Sequence, residues 1–314
     1  MLCTIDHFPR SSLLKAVVVL ASLAGLLRTI ATISTSRRHE SHRHILPNLI
    51  RDCAAPANAS GTGRIPNIVH QTWKTSDVST YPIPASRDAW KAQLASLPFQ
   101  VTLWSDDDIR TLVRDEYAWL LPTYDGYAHD IQRADLARLV IAHARGGIYA
   151  DLDVYPVDAR AIVCLQRLGL QAIFASTSGN QGASNHFFMA EKGSDLLMRA
   201  LREAERRAAA ATWFLVLPYL RVFWSTGPLM VMSVAREYTF GREAAVLGVI
   251  DQAYGNSIFH HAAGRSWQGL DGRFLNYVGD HGPLLLVAVL APPVAATLVV
   301  IVYVVASRSR AKAR

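Results

Sequence analysis

The sequence has few cysteines, no internal repeat and no dense cluster of histidine and aspartate, and each absence argues against a class of protein. Its 314 residues include three cysteines, Cys3, Cys53 and Cys164, which are too few for a disulfide-rich scaffold. Cys53 and Cys164 could form one pair, although nothing else in the sequence indicates that they do. Without clustered His and Asp residues, a two-metal phosphohydrolase is disfavoured as well. The length is instead sufficient for one large or two ordinary domains.

Charge is concentrated near the two ends of the chain, where most of the net charge of +7 lies beside apolar segments. Such basic ends are typical of charge close to a membrane, and they do not predict a nucleic-acid partner. Residues 283–306 contain no charged side chain and are long enough to cross about 30 Å of hydrocarbon. A basic tail follows at 307–314, so we expect a transmembrane helix with a cytoplasmic C-terminus.

The N-terminal segment, residues 1–36, is apolar but ambiguous. Lys15 and Arg28 limit its apolar part to about a dozen residues, which suits a signal sequence or a marginal anchor. A cleaved signal, an uncleaved anchor and a membrane-surface helix all stay open. The polar stretch 37–64 predicts a stem, and the glycosylation triplet that begins at Asn58 suits a lumenal location for it.

Residues 65–282 show alternating patterns of strands and helices. Strand–helix–strand alternation predicts a mainly parallel sheet covered by helices. In such sheets, ligands bind beyond the carboxyl ends of the strands. The predicted strands are 65–73, 99–104, 171–175 and 186–190, and the predicted helices are one that starts at Asp106 after Ser105 and one at 131–145.

Two carboxylates, Asp151 and Asp153, stand two residues apart at the end of a short strand-like run. Side chains at such positions of an extended segment project to the same face, so both can reach one hard divalent cation. A cation held in this way can hold a diphosphate. Gly146 and Gly147 precede the run and allow either a tight helix-to-strand turn or a close approach of the backbone to a ligand.

The helix predicted at 131–145 carries Asp135 and Arg138 one turn apart. The simplest interpretation of this pair is an exposed ion pair. Because the helix leads directly to the two carboxylates, the pair could instead border the same cleft. Asp135 would then accept hydrogen bonds from sugar hydroxyls, and Arg138 would neutralise phosphate or orient the donor sugar.

Two later segments have alternative interpretations. Residues 212–224 are rich in apolar and aromatic side chains, which fits either a core helix or a segment at a lipid interface. Thr226, Gly227 and Pro228 predict the start of a helix, where Gly227 would let the backbone approach the acceptor.

Several blocks, taken in order, resemble the signature of the glycosyltransferases with a DXD sugar-binding region. This family includes fungal initiating α-1,6-mannosyltransferases and the catalytic subunits of mannosylinositol phosphorylceramide synthase. The apolar C-terminal stretch makes the chain more similar to the ceramide-modifying branch than to the protein N-glycan branch. The blocks are residues 65–74, 103–106, 133–138 and 146–153, and weaker similarity continues at 225–229 and 260–267.

The resemblance implies a GT-A-like nucleotide-sugar-binding fold in a catalytic domain at 65–282, and it implies roles for individual residues. Asp151, Asp153 and Arg138 would be catalytic, and His260 or His261 could complete the metal site of the two aspartates. Each further role has an alternative, since His70 and Gln71 could merely finish a strand, Trp73 could be packing, and the histidines could be a surface pair. The residues implied at the donor are His70, Gln71, Trp73, Asp135, Arg138, Tyr149 and Trp267.

The resemblance also implies a reaction and its partners. We expect a metal-dependent, retaining transferase that uses Mn²⁺ or Mg²⁺, with GDP-mannose as donor and inositol phosphorylceramide as acceptor. It would lie in the Golgi membrane with a lumenal catalytic domain and could need a regulatory membrane subunit. Two alternatives stay open: a mannosyltransferase acting on protein-linked glycans, and a non-catalytic subunit that binds sugar nucleotides.

Overall fold

A computed structural model describes residues 49–53, 64–177, 180, 182–210, 217–239, 247–262 and 269–281. Within these ranges, no helix is both long and apolar enough to cross a membrane. Several expectations lie outside the described residues and stay predictions. They are the N-terminal segment 1–36, the triplet at Asn58, donor residue Trp267, the transmembrane helix 283–306 and the tail 307–314.

The described chain forms nine strands and ten α-helices, with short 3₁₀ turns at Val78–Thr80 and Ala118–Leu120. The strands are β1 Leu49–Ile50, β2 Ile68–Thr72, β3 Gln100–Trp104, β4 Gly147–Ala150, β5 Val154–Pro156, β6 Ala172–Ser176, β7 Ala183–Ala190, β8 Leu247–Ile250 and β9 Phe259–His261. The helices are α1 Arg87–Gln93, α2 Asp106–Glu116, α3 Leu121–Gly126, α4 Asp130–Arg145, α5 Ala159–Gln166, α6 Asp195–Ala209, α7 Pro218–Ser225, α8 Pro228–Thr239, α9 Gln252–Ile258 and α10 Leu270–His281.

Seven strands form one sheet in the order β1-β8-β6-β7-β4-β2-β3. Every neighbouring pair is parallel except the two pairs that involve β7, which runs antiparallel to both β6 and β4. The mainly parallel α/β sheet expected from the sequence is therefore confirmed, with one reversed strand near its centre. Strands β5 and β9 form a separate antiparallel pair outside this sheet.

Local sequence explains where the main helices begin and end. The Ser105 hydroxyl accepts a hydrogen bond from the Asp108 amide, and the Asp108 carboxylate accepts one from the Ser105 amide, which is a capping box. Helix α4 ends at Arg145, and the chain turns through Gly146 and Gly147 with φ values of 66° and 101°. A Cβ at Gly147 would lie 2.5 Å from the Ile68 carbonyl oxygen. The glycines therefore allow β4 to follow α4 closely and to lie against β2, and no ligand is needed to explain them.

Buried side chains cover both faces of the sheet. On one face, α4, α6 and α8 contribute Leu136, Leu201 and Met230 to a core that also includes Tyr149. The opposite core contains Trp90 of α1 and further apolar residues from α5 and the sheet. Burial of a large apolar side chain stabilises the fold by roughly 1.5–3 kcal/mol. Strand β4 contributes side chains to both cores, so the turn that follows it starts from a fixed position.

The edge strand β1 lies inside the range 37–64 that the sequence suggests as a stem. It pairs in parallel with β8, and a disulfide joins Cys53, just after β1, to Cys164 in α5. Two apolar residues followed by polar ones give no local strand signal, which is why the sequence pattern alone did not show β1. The possible pairing of Cys53 with Cys164 is present in the structure.

The described part of the 212–224 segment favours a core helix, because Tyr219 and Val222 of α7 are buried. Helix α8 begins at Pro228, as predicted. The interpretation of Gly227 needs a correction. A Cβ there would lie 2.9 Å from the Phe223 Cα, so the missing side chain allows the close turn between α7 and α8.

Contacts divide the chain into two units, Met1–Val216 with Leu220–Ser266, and Leu217–Tyr219 with Trp267–Arg314. The first unit contains the whole sheet and the residues around Asp151. In the second unit, the Tyr219 amide and hydroxyl donate hydrogen bonds to Asp271 and Asn276 of α10, both at 2.9 Å.

Candidate active site

Asp151 directly follows β4 at the carboxyl edge of the sheet, where β2 also ends. The Asp151 amide donates a hydrogen bond of 2.9 Å to the His186 carbonyl of β7, and the Val154 amide closes a tight turn onto the Asp151 carbonyl at 3.0 Å. This turn, residues 151–154, carries both carboxylates. We refer to it as the diacid turn. Its place at this edge agrees with the position expected for a ligand site in a parallel sheet.

The Asp151 carboxylate is held from two sides. The Tyr149 hydroxyl, which also hydrogen-bonds to Thr72 at 2.9 Å, donates to Asp151 Oδ1 at 2.8 Å. Arg138 Nη1 lies 3.4 Å from Asp151 Oδ2. Burial raises the pKa of Asp151 to about 6, against the opposing effect of the Arg138 charge. Tyr149 is itself buried, so its hydroxyl orients the Asp151 carboxylate from inside the fold.

Asp153 is buried near the second strand pair. Its Oδ2 atom lies 3.5 Å from His261 Nε2, and its carbonyl accepts a hydrogen bond of 2.9 Å from the Ala262 amide. The pairing of β5 with β9 places His261 opposite Val154. His261 is therefore the histidine that adjoins the diacid turn. His260 is exposed and packs near the Tyr155 ring at 6.3 Å.

Arg138 and Asp135 are both buried, so the interpretation as an exposed ion pair is wrong. Arg138 Nη2 lies 3.4 Å from Asp135 Oδ1, and its Nη1 donates to the Asn185 carbonyl at 3.0 Å. Asp135 also accepts hydrogen bonds of 3.0 Å from Asn185 Nδ2 and Thr226 Oγ1. Burial raises the pKa of Asp135. Asp135 thus holds the Arg138 side chain in place, and the Arg138 guanidinium lies between the carboxylates of Asp135 and Asp151.

His70 and Gln71 lie inside the fold at the end of β2. Trp104 Nε1 donates to His70 Nδ1 at 3.1 Å, so His70 Nε2 carries the proton and donates to the Gly146 carbonyl at 2.8 Å. Burial lowers the pKa of His70 to about 4, which keeps the ring neutral. Gln71 donates to Ser86 Oγ at 2.9 Å. Both side chains therefore support the strand end, as the alternative interpretation of these residues proposed.

Trp73 begins the loop that follows β2, and its amide donates a hydrogen bond of 3.0 Å to the Trp104 carbonyl. Its indole nitrogen donates to Thr80 Oγ1 at 2.6 Å, and its ring meets the Tyr81 ring edge-on at 4.8 Å. Burial raises the pKa of Tyr81, and the negative charges of Asp153 and Asp151 raise it further. Trp73 thus packs against Tyr81, on which the charges of the two carboxylates act. The sequence pattern did not identify Tyr81.

His186 is a second residue that sequence reasoning missed. Its ring stacks on His261 with centroids 4.2 Å apart and planes 9° apart, and its Nδ1 hydrogen-bonds to Ser184 Oγ at 2.6 Å. Burial lowers the pKa of His186 to about 3, so the ring is neutral at pH 7. The available signal was a histidine directly before the apolar residues 187–190 of β7.

The donor groups of the diacid turn fit a hard cation that completes its shell with other oxygens. Among the described residues, no group of three His, Cys, Asp or Glu side chains is arranged to hold a metal ion. Two carboxylates alone suit Mg²⁺ or Mn²⁺, which keep water and phosphate oxygens as further ligands. Asp151 and Asp153 would hold such an ion. His261 stays a predicted ligand, since it adjoins Asp153.

Comparison with known proteins identifies a related family. Residues 85–169, which include the diacid turn, match the glycosyltransferase sugar-binding region containing DXD motif. The chain therefore contains a region similar to the sugar-binding region of that glycosyltransferase family. The DXD pair of the family corresponds here to Asp151 and Asp153, and the resemblance expected from the sequence blocks is confirmed.

Several curated relatives of this chain come from yeasts. Inositol phosphoceramide mannosyltransferase 3 of Schizosaccharomyces pombe is 30% identical over 69% of this chain and 60% of its own length. Mannosyl phosphorylinositol ceramide synthase CSH1 of Saccharomyces cerevisiae is 28% identical over 69% of this chain and 56% of its own length. The chain thus spans less than two thirds of these relatives. It covers 86% of the S. pombe inositol phosphoceramide mannosyltransferase 1, at 27% identity over 88% of this chain.

Among solved structures, the chain is similar to PaToxG glycosyltransferase, with a TM-score of 0.39 and 13% identity over 71% of this chain and 80% of that one. The glycosyltransferase domain of the YGT toxin, solved with UDP bound, has a TM-score of 0.37 and 11% identity, covering 54% of this chain and 55% of that one. The α/β assignment given above rests on the strand order alone.

Proposed function

We propose that this chain is a metal-dependent, retaining mannosyltransferase that transfers mannose from GDP-mannose to inositol phosphorylceramide. The observation that carries the proposal is the diacid turn, fixed at the carboxyl edge of the sheet within the DXD sugar-binding region. The relatives named as inositol phosphoceramide mannosyltransferases support the sugar and the acceptor.

Some residues of the site would bind the divalent cation, and others orient the carboxylates that bind it. Asp151 and Asp153 would bind the divalent cation, which neutralises charge on the leaving diphosphate when bound. Tyr149 and Arg138 keep the Asp151 carboxylate aimed at one position. In a retaining transfer, the acceptor hydroxyl attacks from the face that the phosphate leaves, and the departing phosphate oxygen takes the hydroxyl proton. No protein nucleophile is needed for such a step.

The compartment belongs to the same proposal. The disulfide between Cys53 and Cys164 supports an oxidising compartment of the secretory pathway. With a membrane span at 283–306 and a lumenal domain, the enzyme would meet its lipid acceptor at the Golgi membrane surface. A regulatory membrane subunit would fit this arrangement.

The test is sugar transfer by Asp151→Asn in the full-length protein, compared with the wild type under several sugar nucleotides and with lipid and glycan acceptors. We expect transfer of mannose from GDP-mannose to inositol phosphorylceramide by the wild type, and a loss of at least about a hundredfold in the variant, since the cation loses one of its two carboxylates. Asp107→Asn, on the exposed start of α2, is the matched control.

Each other result points to a named alternative. Transfer to a glycan with no transfer to lipid would move the proposal to protein-linked glycans. Full function of Asp151→Asn in cells would indicate a subunit that binds sugar nucleotides without turnover.

A further inference from the structure

Three successive carbonyl groups of the diacid turn accept hydrogen bonds from residues outside the turn. The Ser86 amide donates to the Leu152 carbonyl at 2.8 Å, and the Trp90 indole nitrogen donates to the Val154 carbonyl at 2.8 Å. The Asp153 carbonyl between them accepts from Ala262. The peptide groups that carry and follow Asp153 are thus fixed by residues distant in the sequence.

The two donors on the α1 side form one buried unit, which we call the Ser86–Trp90 clamp. The Trp90 amide donates to the Ser86 carbonyl at 2.9 Å, so both residues belong to the first turn of α1. Neither residue is exposed to solvent. Gln71 Nε2 donates to Ser86 Oγ at 2.9 Å and lies 3.5 Å from the Asp151 carbonyl, which joins the clamp to β2.

Packing holds the Trp90 ring in the plane that the hydrogen bond requires. The ring stacks on Phe187 of β7 with centroids 6.2 Å apart and planes 12° apart. Phe187 is the residue next to His186, whose carbonyl accepts the Asp151 amide. The clamp and the central strand β7 therefore both hydrogen-bond to the backbone of the diacid turn, and they contact each other through Trp90 and Phe187.

The electrostatics of the turn give a reason for such a clamp. Asp151 and Asp153 carry charges of the same sign two residues apart, and such charges repel each other. A turn free to move would separate the two carboxylates, and a cation would then have to bring them together at a cost in affinity. We propose that Ser86 and Trp90 are positioning residues, which hold the diacid turn in the geometry that binds the divalent cation before the cation arrives.

This inference rests on the proposed function only in taking Asp151 and Asp153 as the cation ligands. The test measures the binding of Mn²⁺ to the full-length protein in detergent by electron paramagnetic resonance. This measurement does not depend on sugar transfer. Trp90→Phe keeps an aromatic ring beside Phe187 and removes the N–H donor to Val154. We expect its Mn²⁺ dissociation constant to rise about tenfold, the value of one buried hydrogen bond of about 1.4 kcal/mol.

The matched control is Ile162→Ala in α5, which removes packing from the same core and leaves the clamp residues and the indole donor intact. Thermal melting of both variants measures the loss of stability. The proposal predicts that Ile162→Ala melts at a lower temperature than the wild type, yet keeps its Mn²⁺ affinity within about twofold. Equal weakening of Mn²⁺ binding in the two variants would overturn it, because packing alone would then explain the effect.

A second variant tests the same proposal if Trp90→Phe fails to fold. Ser86→Ala retains the amide that donates to Leu152 and removes only the hydroxyl that accepts from Gln71. We expect a rise of about threefold in the Mn²⁺ dissociation constant with a folded protein. Unchanged affinity in Ser86→Ala would count against the clamp. Wild-type Mn²⁺ binding without mannose transfer would refute the proposed function and leave the clamp intact.

Discussion

The inner and outer sides of the diacid turn are built in different ways. On the inner side, Arg138 and Asp135 are buried, and Asp151 is held through direct contacts to Arg138 and Tyr149. On the outer side, His260 and His261 of β9 are exposed, and their rings contact those of Tyr155 and His186. The inner side therefore fixes the carboxylates as part of the core, whereas the outer side can adapt to a donor without unfolding the protein.

The largest effect is expected from breaking the inner side at Arg138. Arg138→Met would leave Asp135 and Asp151 without the positively charged guanidinium group that lies 3.4 Å from each of them. Removing one partner of a buried pair costs about 3–5 kcal/mol, so we expect that decrease in the free energy of unfolding, together with loss of sugar transfer. Chemical denaturation of the full-length protein measures the first effect.

Arg145→Gln is the control from the same helix. Arg145 pairs with Glu116 at the surface, where both side chains are more than a third exposed. A surface pair contributes about 0–1 kcal/mol, and the control should fall within that range. A comparable loss in the two variants would contradict the contrast between the buried and the exposed arginine.

A smaller loss of stability, with no loss of activity, is expected from a partly buried arginine network away from the site. Glu203 accepts hydrogen bonds from Arg206 and Arg207 in α6, and Arg207 also donates to Ser233 and Trp224. Hydrogen bonds from the two arginines lower the pKa of Glu203 to about 2. Glu203→Gln should reduce the free energy of unfolding by about 1–3 kcal/mol and leave mannose transfer unchanged.

The pH dependence of this loss has a defined sign. The Glu203 pKa is lower in the folded than in the unfolded state, where it is near 4.5. Its contribution is therefore complete above about pH 4.5 and disappears as the pH falls toward 2. Denaturation of wild type and Glu203→Gln from pH 7 to pH 3 checks this, because the two curves should converge on acidification. A constant difference would show that the carboxylate charge is not the cause.

The same contrast between inner and outer sides explains what could be predicted from the sequence. Helix α4, strands β2 and β3 and the place of the two carboxylates follow from local periodicity and from turn residues such as Gly147. The burial of Asp135 and Arg138 did not follow, because a charged pair one turn apart has the same pattern on an exposed helix.

Features that depend on long-range pairing left no local signal. The reversed direction of β7 and the pairing of β5 with β9 connect segments far apart in the chain, and periodicity says nothing about strand direction. Trp90 reads as an ordinary core residue, since its hydrogen bond goes to Val154, 64 residues away. His186 was overlooked for the same reason, because its partner His261 comes from a different part of the chain.

The smallest effect on stability is expected on the outer side, and it should separate the two histidines. His261→Ala removes the ring that adjoins Asp153 and stacks on His186, so we expect Mn²⁺ or GDP-mannose affinity to fall by about tenfold, or 1.4 kcal/mol. The free energy of unfolding should change by less than about 0.5 kcal/mol, because the side chain is a third exposed. His260→Ala is the matched control, since that exposed ring contacts Tyr155 and should leave both quantities nearly unchanged. Equal losses of affinity in the two variants would mean that β9 acts as a whole and that His261 has no separate role. A large loss of stability in His261→Ala would instead show that this histidine is part of the core. The inner side would then include His261 as well as Asp153.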